Sequence, residues 1–191
     1  VFIPLRTVSN GGMGLNVLSN LTSLKLEVDF ITHESTIKKT RHIHEASNSL
    51  LLRIDEEERI DRITDAQLLS INYSDYDMVV ISDYNKGFLT EEVISFISFR
   101  HPNVICDTKK QLGDWCENLR FIKQNRSEFQ NSIEYINDNG WLVEKLIVTL
   151  DKDGCMYHDI VYPTEQVEIM DISGAGDTFV AGFVKEFLDT N

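Results

Sequence analysis

The 191-residue chain lacks the features that would send it into a membrane, through a secretory route or onto nucleic acid. No apolar run approaches the roughly 20 residues that span a bilayer, and no secretory h-region opens the chain. Positive charge is scarce, with 18 Lys and Arg against 31 Asp and Glu, for a net charge of −13. That balance excludes nonspecific attraction to nucleic acid or to anionic membranes. It leaves small anionic substrates open, because they respond to the local field of a pocket. Cysteine is limited to Cys106, Cys116 and Cys155. An odd count without C-x-x-C spacing excludes a disulfide framework and points to reduced thiols in the cytoplasm. No internal repeat or low-complexity segment is present. What remains is ordinary: 42% hydrophobic and 26% charged residues, enough for one domain with a sizeable core.

Along the chain, residues 1–7 look extended, but Pro4 argues against a central strand there. Gly11-Gly12 breaks the run. Residues 13–24 carry helical spacing through Leu15, Leu18, Leu21 and Leu24, which predicts a core-facing helix. Residues 28–32 and 36–44 are strand-like, residues 46–49 form a turn, and residues 50–54 return as a strand, which together predict a small β-rich unit. The acid-rich run at residues 55–61 reads as a solvated face or helix start. A helical stretch is expected around residues 66–71. Thereafter short apolar runs at 78–82, 103–107, 120–123 and 145–150 have the character of buried parallel strands. Helices capped by Thr90 and by Ser127 separate them. Residues 151–154 turn into a hairpin over 155–158. Strands alternating with helices predict a right-handed, mostly parallel α/β sheet flanked by helices.

One stretch carries the chemistry: Asp171-Ile172-Ser173-Gly174-Ala175-Gly176-Asp177-Thr178-Phe179. Its glycines open what reads as a helix continuing through Phe187. A helix start offers unpaired N–H groups and the positive end of the macrodipole, so it attracts phosphate. An acid there repels a phosphate. Asp177 makes sense if it accepts a proton from a hydroxyl while the N–H groups of Gly174, Ala175 and Gly176 hold the phosphoryl group that the hydroxyl attacks. Other polar groups follow the predicted strands in order: Asp83 and Lys86, Asp107 and Lys109, Asn125 and Glu128, Thr149 and Asp151. Ligands of open α/β sheets bind at such carboxyl ends.

With these residues in place the chain resembles a ribokinase-type (PfkB) carbohydrate kinase. The glycine stretch resembles that family's C-terminal signature, Asn125-Arg126-Ser127-Glu128 its N-x-x-E motif, and Gly11-Gly12 with Asn16 its N-terminal glycine pair and asparagine. Within the family, Lys39-Thr40-Arg41, Leu51-Leu52-Arg53-Ile54-Asp55 with Glu57, and Ser82-Asp83-Tyr84-Asn85-Lys86-Gly87 look most like segments of bacterial heptose 7-phosphate kinases. The resemblance implies a ribokinase-like α/β fold in a single domain: residues 76–191 as nucleotide-binding core, residues 1–12 and 28–55 as a β lid that also pairs subunits into a homodimer. It implies ATP and Mg²⁺ as cofactors and a sugar or sugar phosphate as acceptor. Asp177 would be the base, and Gly174, Ala175 and Gly176 the anion hole. Glu128, with Asn125, would organise Mg²⁺ indirectly through its waters. Lys109, Thr149, Asp151 and Gly154 would lie near the nucleotide. Gly11, Gly12, Asn16, Lys39, Arg53 and Asp83 would face the sugar.

Simpler roles stand beside these. Asn125 or Ser127 can cap a helix whose first turn favours Glu128. Lys38, Lys39 and Arg41 can be solvated strand residues, and Asp83 can close a turn. His42 and His44 share a strand face, but no third ligand follows at metal-binding spacing. The chain also departs from the family pattern: nothing before Val1 matches its N-terminal strand, the segment 24–36 is short, and the chain stops at Asn191 beside the signature helix. These departures keep two other readings open: a reduced, non-catalytic binding or dimerisation module, and a kinase for another sugar or a nucleoside.

Overall fold

The computed structural model describes residues 5–8, 11, 13–35, 37–47, 49–56, 60–165 and 174–190. Pro4, Gly12, Glu57 and Asp171 to Ser173 of the glycine stretch lie outside the described residues.

The core is a six-stranded sheet in the order β3-β4-β5-β6-β7-β8. β3 (Val79–Asp83), β4 (Val104–Thr108), β5 (Phe121–Asn125) and β6 (Leu146–Thr149) are parallel. The hairpin strands β7 (Cys155–Tyr157) and β8 (Ile160–Tyr162) extend the sheet antiparallel. β8 has no counterpart among the expected strands. Its three residues are all exposed, so it carries no burial signal.

The parallel strands are apolar because both faces are covered. Side chains alternate between two core clusters. Val104, Cys106, Ile122 and Leu146 point to the side of α3 (Glu91–Arg100). Ile105, Phe121 and Ile147 point to the side of α1 (Met13–Ser23) and α6 (Ala175–Thr190). Thr90 caps α3 as expected, its hydroxyl accepting from the Val93 N–H. The short α2 (Asp65–Ser70) opens on a capping box of Thr64 and Gln67.

Three local expectations are corrected. The leucine series is not the core stripe: on α1 Val17 and Leu21 are buried and Leu15 is exposed, and Leu24, just past the helix, is exposed too. Each i+3 step falls about 60° short of a turn, so the series winds around the helix, whereas an i+4 pair stays on one face. Residues 28–32 form no strand; they have no ladder partner among the described residues, and Leu26 and Val28 instead pack into the α1–α6 cluster. The helix after β5 starts two residues earlier than expected: Asn125, not Ser127, is its N-cap. It breaks at Ser132 into α4 (Arg126–Asn131) and α5 (Ile133–Asp138).

β1 (Lys38–His44) and β2 (Ser49–Glu56) form a separate two-stranded antiparallel sheet with an irregularity between His42 and Ile43. Every residue of β2 is exposed, including Leu50, Leu51, Leu52 and Ile54.

Candidate active site

The carboxyl ends of β3, β4 and β5 and the start of α6 enclose a cleft of about 160 Å³ lined by Asp83, Tyr84, Asp107, Lys109, Lys123, Asn125, Glu128, Gly174, Gly176 and Asp177. A pocket for a whole drug-sized ligand occupies about 300–1,000 Å³. This volume suits a phosphoryl group and its reacting atoms.

Gly174 adopts φ 81°, a left-handed conformation that favours glycine. It turns the chain into α6, where the Thr178 N–H donates to its carbonyl at 2.9 Å. Asp177 follows in the first turn and is buried. Its Oδ2 accepts from Asn16 Nδ2 at 3.2 Å, and its Oδ1 accepts from the Tyr84 hydroxyl at 3.2 Å. α1 supplies Asn16 because it lies along α6; Asn20, one turn on, donates to Thr178 Oγ1 at 3.2 Å.

Tyr84 stands on a braced loop. Asp83, buried at the end of β3, accepts from the Asn85 N–H at 3.0 Å, from Thr108 Oγ1 at 2.8 Å and from Lys110 Nζ at 2.9 Å. Lys110 also donates to Asn85 Oδ1 at 2.9 Å. Both oxygens of Asp83 are thus engaged within the protein. Lys39 of β1 and Lys109 after β4 stand over the Tyr84 ring, 5.8 and 5.3 Å from its centroid. Burial first, then the Asp177 carboxylate, pushes the Tyr84 pKa well up, so the phenol remains a donor. Burial lowers the pKa of Lys39, partly offset by Asp55.

Asn125 and Glu128 close a capping box. Glu128 Oε2 accepts from the Asn125 N–H at 2.8 Å, and Asn125 Oδ1 accepts from the Glu128 N–H at 2.9 Å. The cap therefore exists, and the same glutamate still faces the cleft: its Oε1 lies 3.3 Å from Lys109 Nζ. Lys123 Nζ reaches both oxygens of Asp107, at 3.1 and 3.2 Å. Burial raises the Asp107 pKa, and Lys123 opposes that rise. Each lysine of the cleft is thus matched by a carboxylate, whereas Asp177 is held by two neutral donors. An aspartate so placed is a hydrogen-bond acceptor with no cation paired to it among the described residues.

Several expected residues stand outside the cleft. Thr149 donates to the Gln124 carbonyl at 3.4 Å. Asp151 and Gly154 lie in the β6–β7 connection at φ 55° and 97°. A Cβ on Gly154 would come within 2.0 Å of the Tyr162 carbonyl oxygen, which accounts for that glycine without a ligand. Ala175 begins α6 but does not line the cleft, and Gly11 is exposed away from it. Arg53 binds Asp55 of its own strand, at 2.7 and 2.6 Å, on the exposed surface of β2. His44 Nδ1 meets Ser47 Oγ at 2.7 Å, and no metal-binding cluster of His, Cys, Asp or Glu occurs among the described residues.

Two residues of the cleft had no role from sequence. Tyr84 sits inside the Ser82–Gly87 segment, where its neighbours drew the attention. Lys123 sits in the apolar run Phe121-Ile122-Lys123. A lysine within a strand otherwise built for burial was the available signal.

A hard cation that keeps several waters needs only one or two protein carboxylates. Glu128 and Asp107 at the cleft, with Asn125 beside them, fit Mg²⁺ held largely through water and phosphate oxygens. Among the described residues, no helix is long and apolar enough to cross a membrane.

Comparison with known sequences is consistent along the length of the chain. The pattern of the pfkB family carbohydrate kinases matches residues 42–191. Bifunctional protein HldE of a Nitratiruptor species is 33% identical over 168 residues, covering 76% of this chain and 36% of that protein. Bifunctional protein HldE of Sulfurimonas denitrificans is 30% identical over 203 residues, covering 91% and 42%. Its counterpart in a strain of Helicobacter pylori is 25% identical over 206 residues, covering 93% and 44%. The chain thus spans less than half the length of these curated relatives.

Proposed function

The chain belongs to the pfkB family of carbohydrate kinases, and from that premise we propose that it transfers the γ-phosphoryl of ATP to a hydroxyl of a sugar or sugar phosphate, a heptose 7-phosphate first among the candidates. The observation that carries this reading is the placement of Asp177: buried, inside the first turn of α6, beside Gly174 and Gly176, and with no cation partner among the described residues.

The chemistry follows from that placement. The acceptor hydroxyl enters above Asp177, which takes its proton as the oxygen attacks the γ-phosphorus in line. A positioned base contributes about 10²–10⁴-fold. The bond to the attacking oxygen forms as the bond to the ADP oxygen breaks. Charge on the three equatorial phosphoryl oxygens meets the N–H groups at the start of α6, donors worth about 3 kcal/mol apiece in barrier. Mg²⁺, when bound, neutralises charge on the nucleotide phosphates. Asn16 and Tyr84 hold the Asp177 carboxylate in orientation. Lys109 and Glu128 border the nucleotide side, and Lys39 brings the lid to the acceptor side.

The lid's exposed Ile43, Leu50, Leu51, Leu52 and Ile54 support pairing of two copies through β1 and β2. Three free cysteines agree with a reducing, cytoplasmic setting.

The test is steady-state phosphorylation of a panel of sugars and sugar phosphates by the full gene product, with Asp177→Asn beside it. Turnover that survives Asp177→Asn would overturn the base assignment. Binding of Mg-ATP without turnover on any acceptor would favour a binding module instead.

A further inference from the structure

The glycine stretch does not make the anion site alone. Lys123 pairs in register with Asp107 across β4 and β5, near the carboxyl edge of the sheet. Its side chain is 7% exposed, and Asp107 beside it is 16% exposed. A Cβ placed on Gly176 would lie 2.9 Å from Lys123 Nζ. The ammonium therefore sits directly beneath the first turn of α6, on the cleft side, where Gly174, Gly176 and Asp177 converge.

An ammonium has three donors. Two meet the oxygens of Asp107. The third has no partner among the described residues. A buried ion pair is a costly way to fill space, since apolar residues of similar volume serve stability as well or better. Lys109, the other lysine of the cleft, is half exposed. Lys123 is the positive charge with a fixed position.

Resting on the kinase reading above, we propose that Lys123 is a catalytic residue: its ammonium donates to an equatorial oxygen of the phosphoryl group in transit, as a third element of the anion site beside the α6 N–H groups and Mg²⁺. Asp107 is its positioning residue and keeps the ammonium aimed upward. Lys123 holds its proton throughout. The acceptor proton still goes to Asp177, and the electron pair of the broken bond leaves with ADP. This assignment also explains Gly176, since any side chain there occupies the space of the ammonium.

The experiment compares the full gene product with Lys123→Met and with the double variant Lys123→Met/Asp107→Leu. It reads melting temperature, kcat, KM for ATP, and the tightening of Mg-ADP binding when aluminium fluoride is added as a planar phosphoryl mimic. Lys123→Met should lower kcat about 100-fold, change Mg-ADP affinity less than about threefold, and abolish most of the fluoride-dependent tightening. It should also lower the melting temperature, because Asp107 is left buried and unpaired. The double variant should regain the melting temperature without regaining kcat or the tightening. Recovery of kcat along with stability would show a structural pair only and overturn the proposal, as would wild-type tightening in a folded Lys123→Met. If the unaltered protein shows neither turnover nor fluoride-dependent tightening, the kinase reading itself fails, and the lysine's role with it.

Discussion

The Tyr84 hydroxyl donates to Asp177 Oδ1 at 3.2 Å, joining the loop after β3 to the first turn of α6 across 93 positions of sequence. A carboxylate held from one side by Asn16 and from the other by Tyr84 cannot rotate freely, so its two oxygens have set directions. Tyr84→Phe removes one hydrogen bond to a charged group, worth about 1.5–3 kcal/mol. The expected result is a fall in kcat of about 10-fold or more, with KM for ATP little changed. Steady-state kinetics on Tyr84→Phe checks it.

The Asp83–Lys110 pair makes a separate prediction about stability. Both side chains are less than a tenth exposed. Lys110→Met leaves a buried carboxylate without its cation, a loss of about 3–5 kcal/mol. Adding Asp83→Asn should restore much of it, because the amide keeps acceptor capacity without charge. Urea unfolding of the two variants measures both numbers.

Gly176→Ala should separate stability from rate. Its new methyl meets only the tip of Lys123, a flexible atom, so the fold can yield. Alanine also favours the helix over glycine by about 1 kcal/mol. Melting should therefore fall less than in Lys123→Met, because the shifted ammonium still carries its charge beside Asp107, while kcat falls about 10- to 100-fold as the ammonium is displaced.

Thiol reactivity follows burial. Burial pushes Cys116 up to about 12 and Cys106 well above its ordinary value, while Cys155, part-exposed, rises with burial alone as cause. The thiolate is the nucleophile, so a raised pKa leaves less of it at any pH below that value. At pH 8, iodoacetamide should label Cys155 first and reach Cys106 and Cys116 only after unfolding. Mass spectrometry of timed aliquots reads the order.

Association through the lid is testable at Leu51 and Leu52, both about half exposed. Leu51→Asp with Leu52→Asp should convert a dimer to a monomer in light scattering. A wild-type protein that is already monomeric at tens of micromolar would remove the lid from consideration as an interface.

The sequence made the parallel sheet and its helices legible because their signals are local. Buried strands write themselves as apolar runs, and Thr90 caps the helix that follows it. The acid inside the glycine turn at Asp177 stood out because it contradicts simple phosphate binding. What stayed hidden depends on distant partners. Nothing near Tyr84 in the chain announces Asp177, and Lys123 becomes meaningful only when Gly176 lies above it. Leucine spacing on α1 misled because exposure depends on where α6 lies, which a three-residue count cannot supply. Thr149 closes β6 and spends its hydroxyl on the Gln124 carbonyl, and Asp151 and Gly154 belong to the hairpin turn that follows.

Glu128 divides its two oxygens between different duties. Oε2 is committed to the start of α4 and Oε1 to the Lys109 ammonium. A ligand that draws on Oε1 therefore exchanges with a solvent-reaching lysine and leaves the helix start untouched. The cleft can load and release its charge repeatedly without any turn of backbone having to refold between cycles.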